Sequence, residues 1–321
     1  MGQQGRAREF DTVTIAGFAA IALLIELVLL RVATRTAINI PGLGEIEIGF
    51  RVVSELGRLA FNAAVILVAA TIVGLLLTAA SRRRWALVGV LGAFLAAAVA
   101  APLDLVSEPA TDVVIVLAIV AVPILGVISR DTPVVRVIPS FLFAAAFAVA
   151  AVPTIVGKTV PGTTLPVTGI LTVAELLALA AAASLVILVW GRPQRRPVVI
   201  SVLTGGALAG LLAAQPATIE TLMLWNLGLA GYFGPVAYGA AFGAALYAAL
   251  TALGRKDRLT AIGIACLVAG GIGLHSTLQS ASVFIGVLAL SQSNSFRATA
   301  TRRTDVAAAP PTAPKASVIA G

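Results

Sequence analysis

Long runs of apolar residues dominate this chain and exclude most folds. A helix needs about 20 apolar residues to cross a bilayer. Only 11% of the 321 residues are charged, against about 25% in soluble domains, and the mean hydropathy is +1.03. The sequence therefore predicts an all-α polytopic membrane protein in the cell membrane. Nine segments fit this length: roughly 12–31, 56–80, 85–102, 112–129, 135–156, 167–190, 197–214, 218–254 and 259–291.

The charges between these segments predict an orientation. Four loops rich in arginine (81–85, 129–136, 191–197 and 254–258) alternate with loops such as 102–112 that carry no Lys or Arg. Basic loops stay in the cytoplasm, so we expect a cytoplasmic N-terminus. The same rule explains the net charge of +8 without nucleic acid.

The C-terminus does not obey this orientation. Nine crossings place it outside, yet the tail contains three arginines, Arg297, Arg302 and Arg303. Segment 259–291 is therefore either one span or two short ones. The tail, 296–321, is rich in Ala, Pro and Thr and is expected to be disordered.

Two stretches 120 residues apart resemble each other. Without gaps, 41–63 and 161–183 agree at nine positions, including a Pro-Gly pair and the glutamates Glu55 and Glu175. We expect two parallel four-helix repeats, 1–131 and 132–258, followed by an additional segment, 259–295. Parallel repeats are related by an axis along the membrane normal. Chance similarity between Ala- and Leu-rich helices is the alternative.

The first loop on the extracytoplasmic side has a strand pattern. Apolar and polar residues alternate on both sides of a Pro-Gly turn in 36–50. This pattern predicts a β-hairpin. Such a hairpin offers a docking surface for an extracytoplasmic protein subunit.

Acidic residues inside apolar segments are candidate functional groups, because a charge in the bilayer is costly and usually faces the protein interior. Glu55 and Asn62 lie on one helical stripe together with two arginines, which also fits a helix turn at the headgroups. Glu175 has no arginine on its stripe and lies about 13 Å into its span. Glu26 is expected to reach towards the outer surface.

The sole histidine, His275, shares a predicted helix face with Gln279 and several small residues. It fits a packed histidine, a proton-relay group or an axial haem ligand. Segment 218–254 is too long for one span and is interrupted by Gly and Pro near 226–239. Broken helices of this kind often line binding sites in membranes.

No nucleotide-binding, HExxH or cysteine-based metal motif is present, and the single Cys266 cannot form an internal disulfide. We therefore expect no catalytic site, no metal and no cofactor beyond the haem alternative at His275. Two functions fit. The protein handles a small solute, lipid or ion from the extracytoplasmic side, or it is a non-catalytic anchor subunit of a respiratory or electron-transfer complex. The candidate buried polar site comprises Glu55, Asn62, Glu175, His275 and Gln279.

Overall fold

The computed structural model describes residues 12–33, 47–103, 105–129, 132–191, 194–214, 233–292 and 296. In these ranges the regular structure is entirely helical. The ten α-helices there are α1 (Thr12–Glu26), α2 (Glu47–Ser81), α3 (Trp85–Ala100), α4 (Glu108–Ser129), α5 (Val134–Thr159), α6 (Val167–Leu188), α7 (Arg195–Ala214), α8 (Phe233–Gly254), α9 (Arg258–Gly270) and α10 (Thr277–Ser291). A π-helical turn, Leu27–Ala33, follows α1, and a 3-10 turn, Ala101–Leu103, follows α3.

Among the described residues, seven helices are long and apolar enough to cross a membrane. They lie within α1 with its π turn, α2, α3, α4, α5, α6 and α8. Large apolar side chains such as Ile66, Leu77 and Ile128 are exposed on their outer surfaces, where lipid tails can solvate them. The predicted all-α class is confirmed for the described residues, and the seven long apolar helices are compatible with a polytopic membrane protein.

The helices form a ring around α10. Each helix from α1 to α6 packs on the next, α6 packs on α8, α8 on α9, and α9 on α1. Helix α10 fills the centre and contacts α9, α5, α4 and α2. Its residues from Leu278 to Ser291 are all buried. Phe284 of α10 stacks on Phe94 of α3 with ring centroids 4.1 Å apart.

Helices α9 and α10 form an antiparallel hairpin. A Cβ added to Gly263 would lie 2.9 Å from Leu290, and one added to Gly270 would lie 2.9 Å from the Gln279 carbonyl oxygen. The 13 residues of α9 reach about 20 Å, less than the roughly 30 Å of hydrocarbon. Of the two alternatives for 259–291, the structure has two short helices, because the chain turns back and α10 ends on the side where α9 begins.

Ion pairs hold the two ends of the bundle. At one end Asp257 pairs with Arg136 of α5 and caps α9 by accepting from the Thr260 hydroxyl at 3.0 Å. We call this end, which carries residues 81–85, 191, 194–197 and 254–258, the basic face. At the opposite end, the far face, Lys158 of α5 pairs with Glu108 (3.0 Å) and Asp112 (2.9 Å) of α4.

The predicted β-hairpin is not confirmed. Residues 36–46 lie outside the described part of the chain, and α2 begins at Glu47, so 47–50 are helical rather than extended. The alternation there is too short to fix a strand, and the apolar residues that follow continue as a helix. Residues 218–232 of the predicted broken segment and the tail beyond 296 also lie outside the described ranges.

The tandem repeat stays a prediction. In the first proposed copy α2 packs on α3, whereas in the second α6 packs mainly on α8 rather than on α7. The paired glutamates also differ in environment, since Glu55 is exposed and Glu175 is buried.

Candidate functional site

The turn between α9 and α10 is the main irregular feature inside the bundle. Gly271 and Gly273 have φ values of 70° and 99°, a region that glycine enters without steric cost. Ser276 then caps α10, its hydroxyl accepting from the Gln279 backbone N–H at 3.2 Å. We call residues 271–279 the hairpin tip. His275, Ser276 and Thr277 are exposed there, although the helices on either side are buried.

The hairpin tip lies well inside the membrane-spanning helices. A Cβ added to Gly273 would lie 3.8 Å from the Cβ of Ala150 in α5. Ala150 precedes the end of α5 at Thr159 by nine residues, or about 14 Å. Polar side chains are therefore exposed at a depth where a bilayer would offer no water.

Glu175 lies at a similar depth and is completely buried. It follows the start of α6 at Val167 by eight residues, about 12 Å. Helix α6 runs beside α5, so this depth matches that of Ala150. Tyr238 of α8, also buried, is close enough to Glu175 for an electrostatic interaction. The structure thus places a buried carboxylate near a buried phenol.

A small cavity of about 30 Å³ lies next to this pair, between α5, α6, α8 and α9. Tyr238, Ala178 and Val268 are among its lining residues. Ala178 is one helical turn from Glu175 on α6, and Val268 is one turn below the hairpin tip on α9. The cavity exceeds the roughly 10–15 Å³ that one water molecule requires, although its lining is mainly apolar.

Glu26 reaches the same level on the opposite flank of the hairpin. Gly17 of α1 faces Ile262 of α9, with 3.6 Å between an added Cβ and the Ile262 methyl group. Both helices run away from the basic face, and nine residues further along them the chain reaches Glu26 in α1 and Gly271 at the hairpin tip. These two residues therefore lie at a similar level. Glu26 is only 6% exposed, and the π turn begins at the next residue. The expectation that Glu26 reaches the outer surface is wrong, because α1 packs between α2 and α9.

Gln279 contributes an unsatisfied oxygen at the tip. Its side chain is 6% exposed, and its Oε1 has no hydrogen-bond partner among the described residues. The sequence Ser276-x-x-Gln279 is a capping box, but only the half in which Ser276 accepts is made. The ring of His275 contacts the Ile272 carbonyl oxygen through Nε2 at 3.1 Å. A buried amide oxygen without a partner is costly unless a ligand or water satisfies it.

Two residues of the predicted site lie elsewhere. The Glu55 side chain is 68% exposed and pairs with Arg58 at 3.6 Å, and Asn62 is exposed as well. The 35 residues of α2 extend about 52 Å, roughly 20 Å more than the hydrocarbon thickness. Glu55 therefore lies on the part of α2 nearest the far face, and neither residue belongs to a buried site with Glu175. Glu26 and Tyr238, which are buried, replace them among the candidate site residues.

The described residues contain no group of three or more His, Cys, Asp or Glu that could hold a metal ion. The acidic groups flank the hairpin separately instead of forming one cluster. Haem ligation by His275 stays a prediction. No known family, curated protein or solved structure matches this chain.

Proposed function

We propose that this protein binds a small cation, the proton being the simplest case, and moves it from the extracytoplasmic side through the hairpin tip. The observation that carries this proposal is the burial of Glu26 and Glu175 at the depth where the hairpin breaks. Carboxylates within membrane-spanning helices mark ion pathways and proton relays in many membrane proteins. Irregular backbone at such depth occurs where it is buried in protein or lines a cavity.

The chemistry of the surrounding groups favours a cation. The carboxylates, the free Gln279 oxygen and the Tyr238 hydroxyl all supply oxygen atoms, which hard cations prefer. The C-terminal end of α9 points its carbonyl groups towards the tip, and half-helix ends of this polarity coordinate cations in transporters. His275, exposed at the tip, is suited to exchanging a proton with water.

The proposed orientation follows from the arginine-rich loops. We take the basic face as cytoplasmic because arginine-rich loops favour that side, and the hairpin tip is then reached from the extracytoplasmic side. Because α10 ends on the same side as the start of α9, the last described helix then ends on the cytoplasmic side, which is the side that the arginines following it in the sequence favour. The hairpin removes the conflict that a single ninth span creates.

The test is a flux assay on the purified protein reconstituted in liposomes, with a pH-sensitive dye for protons and isotopes for sodium and potassium. Glu175→Gln and Glu26→Gln keep the shape of each side chain but remove its charge, so we expect each to abolish flux. Glu55→Gln is the matched control and should retain it, because Glu55 is exposed. Full flux in the Glu26→Gln/Glu175→Gln double variant would remove both carboxylates from the mechanism.

A second candidate function is that of an accessory subunit in a membrane complex. The end of α2 nearest the far face exposes Val52, Leu56 and Leu59, which are 54%, 50% and 64% exposed. Exposed apolar side chains near one end of a long helix fit a contact with another protein. A subunit that co-purifies with the wild type in mild detergent but is lost from Leu56→Ser/Leu59→Ser would favour this role.

A further inference from the structure

A groove of about 550 Å³ opens on the surface of the bundle between α6, α7 and α8. Among the described helices, α7 packs closely on α8 but not on α6, which leaves space between α6 and α7. Glycines bring these two helices into backbone contact: a Cβ added to Gly243 would lie 3.0 Å from the Ser201 carbonyl oxygen. The groove has the size of a site for a small organic ligand, roughly 300–1,000 Å³.

The lining of the groove is almost entirely apolar. Valines, alanines and glycines form its walls, with Trp190 and Tyr247 as the large aromatic residues. Trp190 is 76% exposed and lies just beyond α6 at the basic face. Tryptophan at this position is typical of the interface between headgroups and hydrocarbon. The groove therefore runs from the membrane interface at the basic face into the hydrocarbon region.

Three arginines lie near the end of the groove at the basic face. Arg195 and Arg196 are exposed in the first turn of α7, just before the lining residue Val198. The guanidinium group of Arg255 lies against Gly191, the neighbour of Trp190. The nearest described acid in sequence, Asp257, is engaged with Arg136. The charge at this opening is positive.

Ser201 is a polar group inside this apolar groove. It is 3% exposed, and its hydroxyl has no hydrogen-bond partner among the described residues. By contrast, Thr204, one turn later, donates to the Ile200 carbonyl oxygen at 2.8 Å. Ser201 follows Arg195 by six residues, about 9 Å along α7. The headgroup layer on each side of a bilayer is about 5–8 Å thick, so Ser201 lies just below it.

We propose that this groove binds one anionic phospholipid from the leaflet at the basic face. An acyl chain fills the apolar groove, the phosphate lies among Arg195, Arg196 and Arg255, and Ser201 donates to an ester carbonyl oxygen. Basic pockets between membrane helices are known to recognise anionic headgroups. The site is separate from the hairpin tip, so this inference does not depend on cation transport.

The test measures lipid binding to the full-length protein in mild detergent by native mass spectrometry, with phosphatidylglycerol and phosphatidylcholine as probes. Gly206→Leu adds a side chain to the groove at a position where the Cβ itself meets nothing within 4 Å. Gly210→Leu is the matched control. It also lies on α7 with open space around its Cβ, but it does not line the groove. Arg195→Gln/Arg196→Gln removes the positive charge, and Arg82→Gln/Arg83→Gln removes equal charge in another loop of the basic face.

The wild type and Gly210→Leu should bind phosphatidylglycerol more tightly than phosphatidylcholine, and Gly206→Leu should lose this bound lipid. The Arg195→Gln/Arg196→Gln variant should weaken phosphatidylglycerol binding by up to about 30-fold, since each basic residue near the surface contributes about 1 kcal/mol towards an anionic lipid. The control arginine pair should have little effect.

Equal affinity of the wild type for the two lipids would overturn the proposal. Unchanged phosphatidylglycerol binding in Gly206→Leu would overturn it as well. A change in oligomeric state in Gly206→Leu without any lipid effect would identify the groove as an interface between copies of this chain instead. Binding that appears only at a large lipid excess, equally in all variants, would show adventitious lipid only.

Discussion

The close packing of the hairpin predicts that Gly270→Ala destabilises the protein. Gly270 is the last residue of α9 and lies against the N-terminal half of α10. A Cβ there would collide with the Val283 side chain and lie 2.9 Å from both the Gln279 carbonyl oxygen and the Val283 nitrogen. Backbone atoms cannot rotate away, so the two helices must separate near the hairpin tip.

The magnitude follows from two opposing effects. Overpacking a tightly packed interior costs about 1–3 kcal/mol. Alanine favours a helix over glycine by about 1 kcal/mol in a helix interior and by less at a helix end. We therefore expect Gly270→Ala to lower the free energy of unfolding by about 0–2 kcal/mol. At Gly92 of α3 an added Cβ meets nothing within 4 Å, so Gly92→Ala should raise it by about 1 kcal/mol.

The assay is unfolding of the full-length protein in mixed micelles with increasing denaturing detergent, followed by circular dichroism. The quantity to compare is the difference between the two variants, expected to be about 1–3 kcal/mol. Comparing two Gly→Ala changes removes most of the common effect on the unfolded chain. If Gly270→Ala proves as stable as Gly92→Ala, α9 and α10 are not packed as described.

Three further predictions concern the anchors of the bundle. Asp257→Ala should lower the free energy of unfolding by up to about 2 kcal/mol more than Asp257→Asn does. The reason is that Asn keeps an acceptor for the α9 cap and loses only the charge facing Arg136. Detergent unfolding of both variants checks this order, and equal losses would contradict it. Phe284→Ala should cost about 3–5 kcal/mol, because the ring is fully buried against Phe94, whereas Phe141→Ala on the exposed surface should cost far less; thermal unfolding of the pair tests the central position of α10. A reporter that works only in the cytoplasm should be active when it is fused to the C-terminus, and a reporter that works only outside the cytoplasm should be inactive there. The opposite result would contradict the return of α10 to the basic face.

The sequence predicts the long helices well where short basic or Pro-containing loops separate them. The segment expected at 85–102 is observed as Trp85–Ala100 with a 3-10 turn, and that expected at 135–156 as Val134–Thr159. Hydropathy and the arginine loops determine these elements locally. The bounds of these helices therefore do not depend on which helices pack against each other.

The break at the hairpin tip could not be assigned from hydropathy, since 259–291 is apolar almost throughout. The run of glycines at 270, 271 and 273 was a usable signal, because two of them adopt positive φ. Burial of the acids depended on distant packing. Glu26 is covered because α1 packs against α9, a contact between residues far apart in sequence.

The length of α2 explains why Glu55 was misplaced. The stretch around Glu55 agrees with that around Glu175 at nine aligned positions, but α2 is about 20 Å longer than a bilayer's hydrocarbon layer is thick. The same sequence pattern thus lies at an exposed helix end around Glu55 and at a buried carboxylate around Glu175. Sequence periodicity shows which residues share a helix face, but not how deep in the membrane that face lies.

Accessibility of the hairpin tip from outside the cell is the most direct test of the account. Thr277→Cys would be made in a Cys266→Ala background, since Cys266 is the only cysteine of the chain and is fully buried. A membrane-impermeant thiol reagent should label Thr277→Cys in intact cells, because this position is exposed at the tip, and should not label Ser282→Cys, which is fully buried in α10. Labelling of Thr277→Cys only after lysis, or labelling of neither position under any condition, would contradict a hairpin tip that opens to the extracytoplasmic side.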